Sequence, residues 1–373
     1  MSDSLWLEEP APPLEVRSLG RAPDVEVVGG GVTGCSCALT LARAGISVRL
    51  HEARTIAGGA SGRNGGFALR GGSMAYDEAR ASLGAERARA LWELTERGLD
   101  SIEELAGDAF RRTGSLRLAA DEIELGEIQA EYRALEEDGF GVEWVRDLPD
   151  QLAGFAGAFR HVSDAAIQPA RWVRRLAEQA AVAGAELREG SRVDSLDRLE
   201  APQIVLATDG YTHGLLRTLD AVILPIRNQV VVTEPLPELL FPFPHYSRRG
   251  FDYWQQTPDR RLVVGGKRDA DPEVERTSEE GLTPAIQGEL ESFVSELVGR
   301  LPTISHRWSG IFGSSPDGRP LAGAMPGRAG TWVAAGYSGH GNVLGFVCGK
   351  LVAEAILGTP APELELFDPA RVL

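Results

Sequence analysis

Lysine is almost missing from this 373-residue chain: Lys267 and Lys350 stand against 36 arginines. Where arginine serves nearly everywhere, a retained lysine marks a position of interest. Cysteine is scarce as well. Cys35, Cys37 and Cys348 all sit among small residues at helical spacing, which reads as core packing. They form neither a disulfide framework nor a metal-ligand pattern, so the expectation is no metal and a reducing, cytoplasmic setting. No apolar run approaches the roughly 18 to 20 residues that a bilayer crossing needs. The first residues show neither a basic stretch nor the apolar stretch of a secretion signal. Positive charge is in deficit, with a net charge of −16. That argues against nucleic acid and anionic membrane as partners and mildly favours cationic small molecules.

What is present centres on Asp24 to Glu52. Val25 to Val28 is a short apolar run that ends in glycine, and Gly29, Gly31 and Gly34 follow at G-x-G-x-x-G spacing. Cys35 to Ala44 has helical periodicity, Ile46 to Leu50 reads as a second strand, and Glu52 closes the unit. Strand, glycine turn, helix, strand and acid in this order predict a dinucleotide-binding βαβ unit. The glycines permit the turn, the approach of a pyrophosphate and close helix–strand packing. The helix N-terminus offers free N–H groups to phosphate. Glu52 is placed to accept hydrogen bonds from a ribose, and its charge disfavours a 2′-phosphate. Glu26, in the middle of the first strand, requires either a buried partner or a wet face, and the sequence leaves that open.

Residues 1–22 read as an irregular lead-in anchored by Trp6 and Leu7. Gly58 to Gly66, GGASGRNGG, suggests backbone wrapped round a ligand. Residues 75–106 predict one long helix, Ser115 to Ala119 a strand, Ile123 to Leu135 a helix and Val142 to Val145 a strand. This block breaks the βαβ rhythm and reads as an inserted domain. Helix resumes over Pro169 to Ala183. Ala185 to Leu187, Ser191 to Ser195 and Gln203 to Thr208 read as strands. Val222 to Thr233 and Phe251 to Gly265 suit an antiparallel sheet. A helix over Leu282 to Arg300, strands near Trp308 to Gly323 and Thr331 to Ala335, and a helix over Val343 to Leu357 complete the chain.

WLEEPAP, VVGGGVTG with Glu52, GGASGRNGG, DAAIQPARWV, VLATDGYT, WSGIFGSSPDGRPLAG, and GYSGHG before GKLVAEAI stand in this order along the sequence. Together they resemble the FAD-dependent amine oxidoreductases of the D-amino-acid and glycine oxidase superfamily, nearest in look to the γ-glutamylputrescine oxidase group. The resemblance implies an α/β fold, α+β overall. A Rossmann-type, glutathione-reductase-like FAD-binding domain would be built from 23–74, 150–220 and 308–373. An antiparallel-sheet substrate domain would be inserted as 75–149 and 221–307.

Carried over by motif, the resemblance puts Gly29, Gly31, Val32, Thr33, Gly34, Glu52, Ala53 and Arg54 at the ADP half of FAD. Gly59, Ala60, Ser61, Arg63, Asn64, Gly65 and Gly66 would run along pyrophosphate and flavin. Val193 would meet adenine through its backbone, and Ala207, Thr208 and Gly310 would also contact FAD. Gly339, His340, Gly341, Asn342 and Val343 would lie at the pyrimidine edge of the flavin, where a backbone role is favoured over imidazole chemistry. The shortness of Asp194 to Gln203 removes a three-stranded excursion usual in the family. The absence of cysteine from SSPDG implies non-covalent FAD, and Asp317 there reads as a turn-former. Relatives that oxidise free amino acids would carry cations at the positions of Phe312, Gly339 or Val343, and none is present here.

The expected activity is oxidation of an amine to an imine, with O2 or another acceptor taking the electrons and O2 giving peroxide. Lys267, Tyr253 and His340 are the candidate catalytic residues. Arg70, Tyr253, Trp254, Phe312 and Tyr337 are the candidate substrate contacts, though each aromatic suits core packing equally well. An amino-acid oxidase clamped by Arg70 or Arg227 is one alternative, and a catalytically silent flavin-binding protein is another. Oligomeric state is left open.

Overall fold

A computed structural model describes residues 4–11 and 18–373. The rest of the 1–22 lead-in lies outside the described residues. Trp6 is buried and donates its indole N–H to the Asn64 carbonyl at 2.8 Å, so the lead-in is pinned to the GRNGG loop. Leu7 packs against the same core.

The first sheet has six strands, in the order Leu321–Ala324, Thr331–Ala335, Gln203–Leu206, Val25–Val28, Val48–His51, Glu186–Arg188. All pairs are parallel except the first. Ligands of such sheets bind beyond the strands' carboxyl ends, where the order reverses. Here that point lies between Val28 and Leu206. The helix Val32–Arg43 packs on the helices Pro169–Val182 and Gly341–Ile356. Gly349 allows the second approach, since a Cβ there would strike the Thr33 backbone.

Glu26 has its buried partner. Its carboxylate accepts the backbone N–H groups of Glu200 at 2.7 Å and Ala201 at 3.0 Å, and meets His51 Nε2 at 3.2 Å and Arg49 at 3.6 Å. Burial opposes ionisation, but these donors outweigh it and hold the carboxyl below its ordinary range. The shortened 194–203 segment is therefore tied down by Glu26. Its only regular element is the short 3-10 turn Leu196–Arg198. The strand expected at Ser191 to Ser195 does not form. Ser191 instead gives its N–H to the Glu52 carbonyl and its hydroxyl meets His51, so the segment closes a loop and joins no ladder. The long helix expected over 75–106 is two, Tyr76–Leu83 and Ala85–Ala106, broken at Gly84 with φ +85°.

The second sheet has eight strands: Ile304–Ser314, Leu224–Thr233, Leu262–Gly266, Asp252–Gln256, His245–Ser247, Ser115–Ala119, Gly157–His161 and Val142–Val145. Only His245–Ser247 and Ser115–Ala119 run parallel to each other. Gly157–His161 falls in the 150–220 segment assigned to the cofactor domain, and the first part of 308–373 continues Ile304–Ser314. Both lie in this sheet because their ladder partners are Ser115–Ala119 and Leu224–Thr233. Helix Pro284–Val298 covers one face, packing Leu290 and Val294 on Val231, Trp254 and Val264, and the other face meets the cofactor domain.

Asp317 forms its turn by accepting the Arg319 N–H at 3.2 Å, and it also holds the chain's end. Arg319 and Arg371 both donate to it, Arg371 Nε at 2.8 Å. Burial opposes ionisation, but the hydrogen bonds from Arg371 and Arg319 bring its pKa from 3.8 down to about 2. A folded-state pKa below the unfolded value gives stability that is present above pH ~4 and lost as pH falls through about 2. The whole difference corresponds to on the order of 2 kcal/mol. Asp317→Asn is expected to lower stability by about that much at pH 7 and to flatten the loss between pH 5 and 2. Urea unfolding across that range checks both.

Candidate active site

The glycine turn makes a phosphate cradle by exclusion. Gly31 caps the helix Val32–Arg43 without a side chain, so the helix presents its first N–H groups outward. Ser61 Oγ accepts from Val32 N–H at 3.0 Å. A Cβ on Gly31 would come within 2.8 Å of that oxygen. Glu52 organises the turn: its two oxygens accept the N–H groups of Gly30 and Arg54, each at 2.7 Å. Lone pairs remain on both oxygens for a ribose.

The GRNGG loop is clamped from several sides. Asn64 and Asn342 exchange side-chain hydrogen bonds at 3.1 Å, joining the loop to the start of helix Gly341–Ile356. Trp308 donates to the Arg63 carbonyl at 3.0 Å, and Gln255 donates to the Gly66 carbonyl at 2.9 Å. Sequence reasoning missed Gln255, although it lies two residues from Tyr253 and so shares its face. Arg63 Nη1 is buried with no hydrogen bond, the nearest carboxylate oxygen of Glu280 being 3.8 Å away. A second helix N-terminus opens on the same space, because His340 caps Gly341–Ile356 without a side-chain bond. Thr33 donates to the Tyr337 hydroxyl at 2.9 Å and ties the two helix starts together.

These parts line one open cleft of about 2030 Å³, the solvent space at its mouth included. Gly31, Val32, Thr33, Ala60, Ser61, Arg63, Asn64 and Gly65 line it. So do Ala207, Gly310, and Gly339 through Val343. Gly29, Gly34, Glu52, Ala53, Arg54, Gly59, Gly66, Val193 and Thr208 are not among the lining residues. Val193 packs beside Val28 and Leu206, in a loop rather than a strand. Two helix starts without an N-cap side-chain bond, a side-chain-free turn and a buried guanidinium nitrogen without a hydrogen bond fit a dinucleotide diphosphate.

Of the substrate candidates, Tyr253, Phe312, Tyr337 and Arg70 line the cleft. Tyr253 stands edge-on to Phe67 with centroids 5.6 Å apart, and its hydroxyl accepts from Asn228 at 3.0 Å. Burial raises its phenol, which stays protonated. Trp254 does not belong to the site. Side chains alternate along a strand, so Tyr253 faces the cleft while Trp254 is fully buried on the opposite face. Lys267 is also displaced. Its backbone is left-handed at φ +57°, and its ammonium meets Asp252 at 3.0 Å and the Phe293 ring at 4.3 Å, behind the sheet. Arg70 is engaged by Glu96 at 2.5 Å, and Arg227 by the buried Glu275 at 2.8 Å.

The cation missing at Phe312, Gly339 and Val343 arrives from the next residue after Lys267. Arg268 lies over the Phe251 ring at 4.0 Å and near the Phe312 ring at 5.7 Å, and donates to the Gly250 carbonyl at 3.1 Å. Among the described residues it has no carboxylate within ion-pair distance. Burial lowers its pKa. His340 is pushed down to about 4 by burial, with Arg268 acting in the same direction. It is neutral at working pH.

A family profile described as "FAD dependent oxidoreductase" (DAO) matches residues 24–355. The chain belongs to the DAO family of FAD-dependent oxidoreductases. This DAO-family chain is 30% identical to "Gamma-glutamylputrescine oxidoreductase" of Escherichia coli over 92% of its own length and 85% of that protein. It is 29% identical to "Probable oxidoreductase OrdL" of Rhizobium meliloti, over 98% and 91%. It is 27% identical to "Glycine oxidase" of Geobacillus kaustophilus, over 89% and 92%. The crystal structure of glycine oxidase from Geobacillus kaustophilus superposes with a TM-score of 0.76 over 94% of this chain and 98% of that one, at 24% identity. The fold is therefore a DAO-type fold, with a Rossmann-like FAD domain and an antiparallel sheet domain. No helix among the described residues is long and apolar enough to cross a membrane.

Proposed function

We propose that this enzyme oxidises the C–N bond of an amine that carries no carboxylate on the reacting carbon. The net reaction is RCH2NH2 + O2 + H2O → RCHO + NH3 + H2O2, with the imine hydrolysing to the aldehyde. FAD, when bound, supplies the two-electron chemistry. The observation that carries the reading is electrostatic. Where Tyr253 and Phe312 face the cradle, Arg268 is a half-buried cation, His340 is neutral and Tyr253 stays protonated. Such a place disfavours a second cation, so an incoming ammonium sheds its proton. Nitrogen then has the lone pair needed to form C=N as hydride leaves carbon. The aromatic wall excludes water from that carbon.

Arg268 also favours one second reading, an α-amino acid whose carboxylate it pairs. Turnover of an amine compared with its matching α-amino acid separates the two. The activity itself is tested by adding amines, diamines and amino acids anaerobically to the yellow protein. Bleaching by an amine is expected, and bleaching by none would leave only a flavin-binding protein. FAD is held without a covalent bond in this proposal, since the three cysteines are buried in helices away from the cleft lining. Acid precipitation should leave flavin in the supernatant, and a yellow pellet would refute it.

A further inference from the structure

Residues 276–283 join the short helix Pro272–Glu275 to helix Pro284–Val298 without regular structure. The segment belongs to the sheet domain, and both its ends are tied there. Buried Glu275 accepts from Arg227 Nη2 at 2.8 Å, Gln229 Nε2 at 2.9 Å and Thr283 Oγ1 at 2.5 Å. Gln229 in turn accepts the Thr283 N–H at 3.0 Å, and the Gly281 N–H donates to Ser309 Oγ at 3.0 Å. Between these anchors Arg276, Ser278 and Glu279 are exposed.

Glu280 turns inward from this exposed stretch and crosses to the cofactor domain. Its Oε1 accepts Arg54 Nη1 at 2.6 Å and the Tyr211 hydroxyl at 2.9 Å. Its Oε2 lies 3.8 Å from Arg63 Nη1, a buried atom with no hydrogen bond. The three partners come from three separate stretches: Arg54 follows Glu52, Arg63 is in the GRNGG loop, and Tyr211 closes ATDGY. Tyr211 also seats the glycine loop. A Cβ on Gly59 would lie 3.2 Å from its ring, and the Arg54 guanidinium lies over that ring, 5.2 Å from the centroid. Among the described residues no other carboxylate is within ion-pair distance of Arg54 or Arg63.

Both arginines are fixed at their near ends as well. The Arg54 N–H donates to Glu52 at 2.7 Å, and Arg63 Nε donates to the Gly58 carbonyl at 2.9 Å. Glu280 fixes their far ends. One acid facing two guanidinium groups leaves a positive balance for a diphosphate. Its own charge is committed to Arg54 through a charge-assisted bond, roughly twice as strong as a neutral one.

We propose that Glu280 is a positioning residue for FAD and the catch of a strap. It acts through Arg54 and Arg63, which the motifs give to the ADP half, and segment 276–283 closes that half against the sheet domain. FAD enters and leaves only when Glu280 lets go of Arg54 and Tyr211. The catch is independent of which amine is oxidised, since Glu280 touches only residues on the cofactor side.

Exchange of the cofactor tests it, with no turnover involved. Radiolabelled FAD on the holoenzyme is chased with excess unlabelled FAD, and apoprotein is remixed with FAD in a stopped-flow fluorimeter. In Glu280→Ala, release should be at least about tenfold faster and rebinding at least about threefold faster, as loss of a charged hydrogen bond that bars both directions requires. Kd then changes less than the release rate. Tyr211→Phe removes one of the two bonds to Oε1 and should fall between Glu280→Ala and the unaltered protein. It carries the test if the melting temperature of the Glu280→Ala apoprotein shows a damaged fold. Glu279→Ala removes the same charge from the exposed part of the segment and should leave both rates unchanged. Unchanged release in both Glu280→Ala and Tyr211→Phe would overturn the strap. So would faster release with unchanged rebinding, which would make Glu280 an ordinary affinity contact. Equal acceleration by Glu279→Ala would overturn it too, as an effect of net charge alone.

Discussion

Gly34→Ala is expected to give a colourless, destabilised protein. Gly34 lies in the first turn of helix Val32–Arg43, directly against the strand turn. A Cβ there would drive into the Gly29 carbonyl oxygen, which is backbone and cannot rotate away, and would sit 3.3 Å from Val27 Cγ1. The helix start must then lift off the sheet. Overpacking of this kind costs typically 1 to 3 kcal/mol. The same movement separates Val32 N–H from Ser61 Oγ and withdraws the helix N-terminus from the phosphates, so cofactor affinity falls along with stability. Gly288→Ala is the control. Gly288 is in helix Pro284–Val298 with nothing within 4 Å of a built Cβ, and alanine there should be neutral or stabilising. Flavin retained after gel filtration and the melting temperature, measured for both variants, check the prediction. A yellow Gly34→Ala protein with normal melting would remove the steric account of this glycine.

The difference between Gly34 and Lys267 shows what a sequence displays and what it hides. The glycine spacing, the helix behind it and Glu52 act on one another within about thirty residues, so their pattern is local and readable. Tyr253 and Trp254 share a strand whose two faces are both covered, one by the cofactor domain and one by helix Pro284–Val298. Without a polar face the alternation has no phase, and only the ladder shows that Tyr253 faces the cleft. Lys267 and Arg268 are adjacent, yet the left-handed turn at Lys267 sends the lysine behind the sheet and the arginine into the site. The rarity of lysine points to the wrong member of that pair. Glu26 and its donors at Glu200 and Ala201 lie far apart in sequence and meet only through sheet order.

Arg268→Met is expected to move the acid limb of kcat for a simple amine to higher pH by about one unit or more. The sign follows from the charges. Amine oxidation needs the nitrogen unprotonated. A guanidinium held near Phe312 in a poorly solvated cleft disfavours the ammonium form and so lowers the pKa of the bound amine. Its influence on His340, already held near 4 chiefly by burial, has the same sign. Methionine keeps much of the length and the apolar contact with Phe251 and Phe312 but removes the charge. The bound amine then keeps its proton to higher pH. At pH 7 the rate falls roughly tenfold for every pH step of one that the limb moves, or about 1.4 kcal/mol of barrier. Arg268→Lys retains the charge without the planar stacking and should bring the limb part of the way back. Full pH profiles for an amine and its matching α-amino acid decide the matter. If the amine profile stays in place while the amino acid loses affinity by a hundredfold or more, Arg268 pairs a substrate carboxylate, and the second reading of the activity replaces the first.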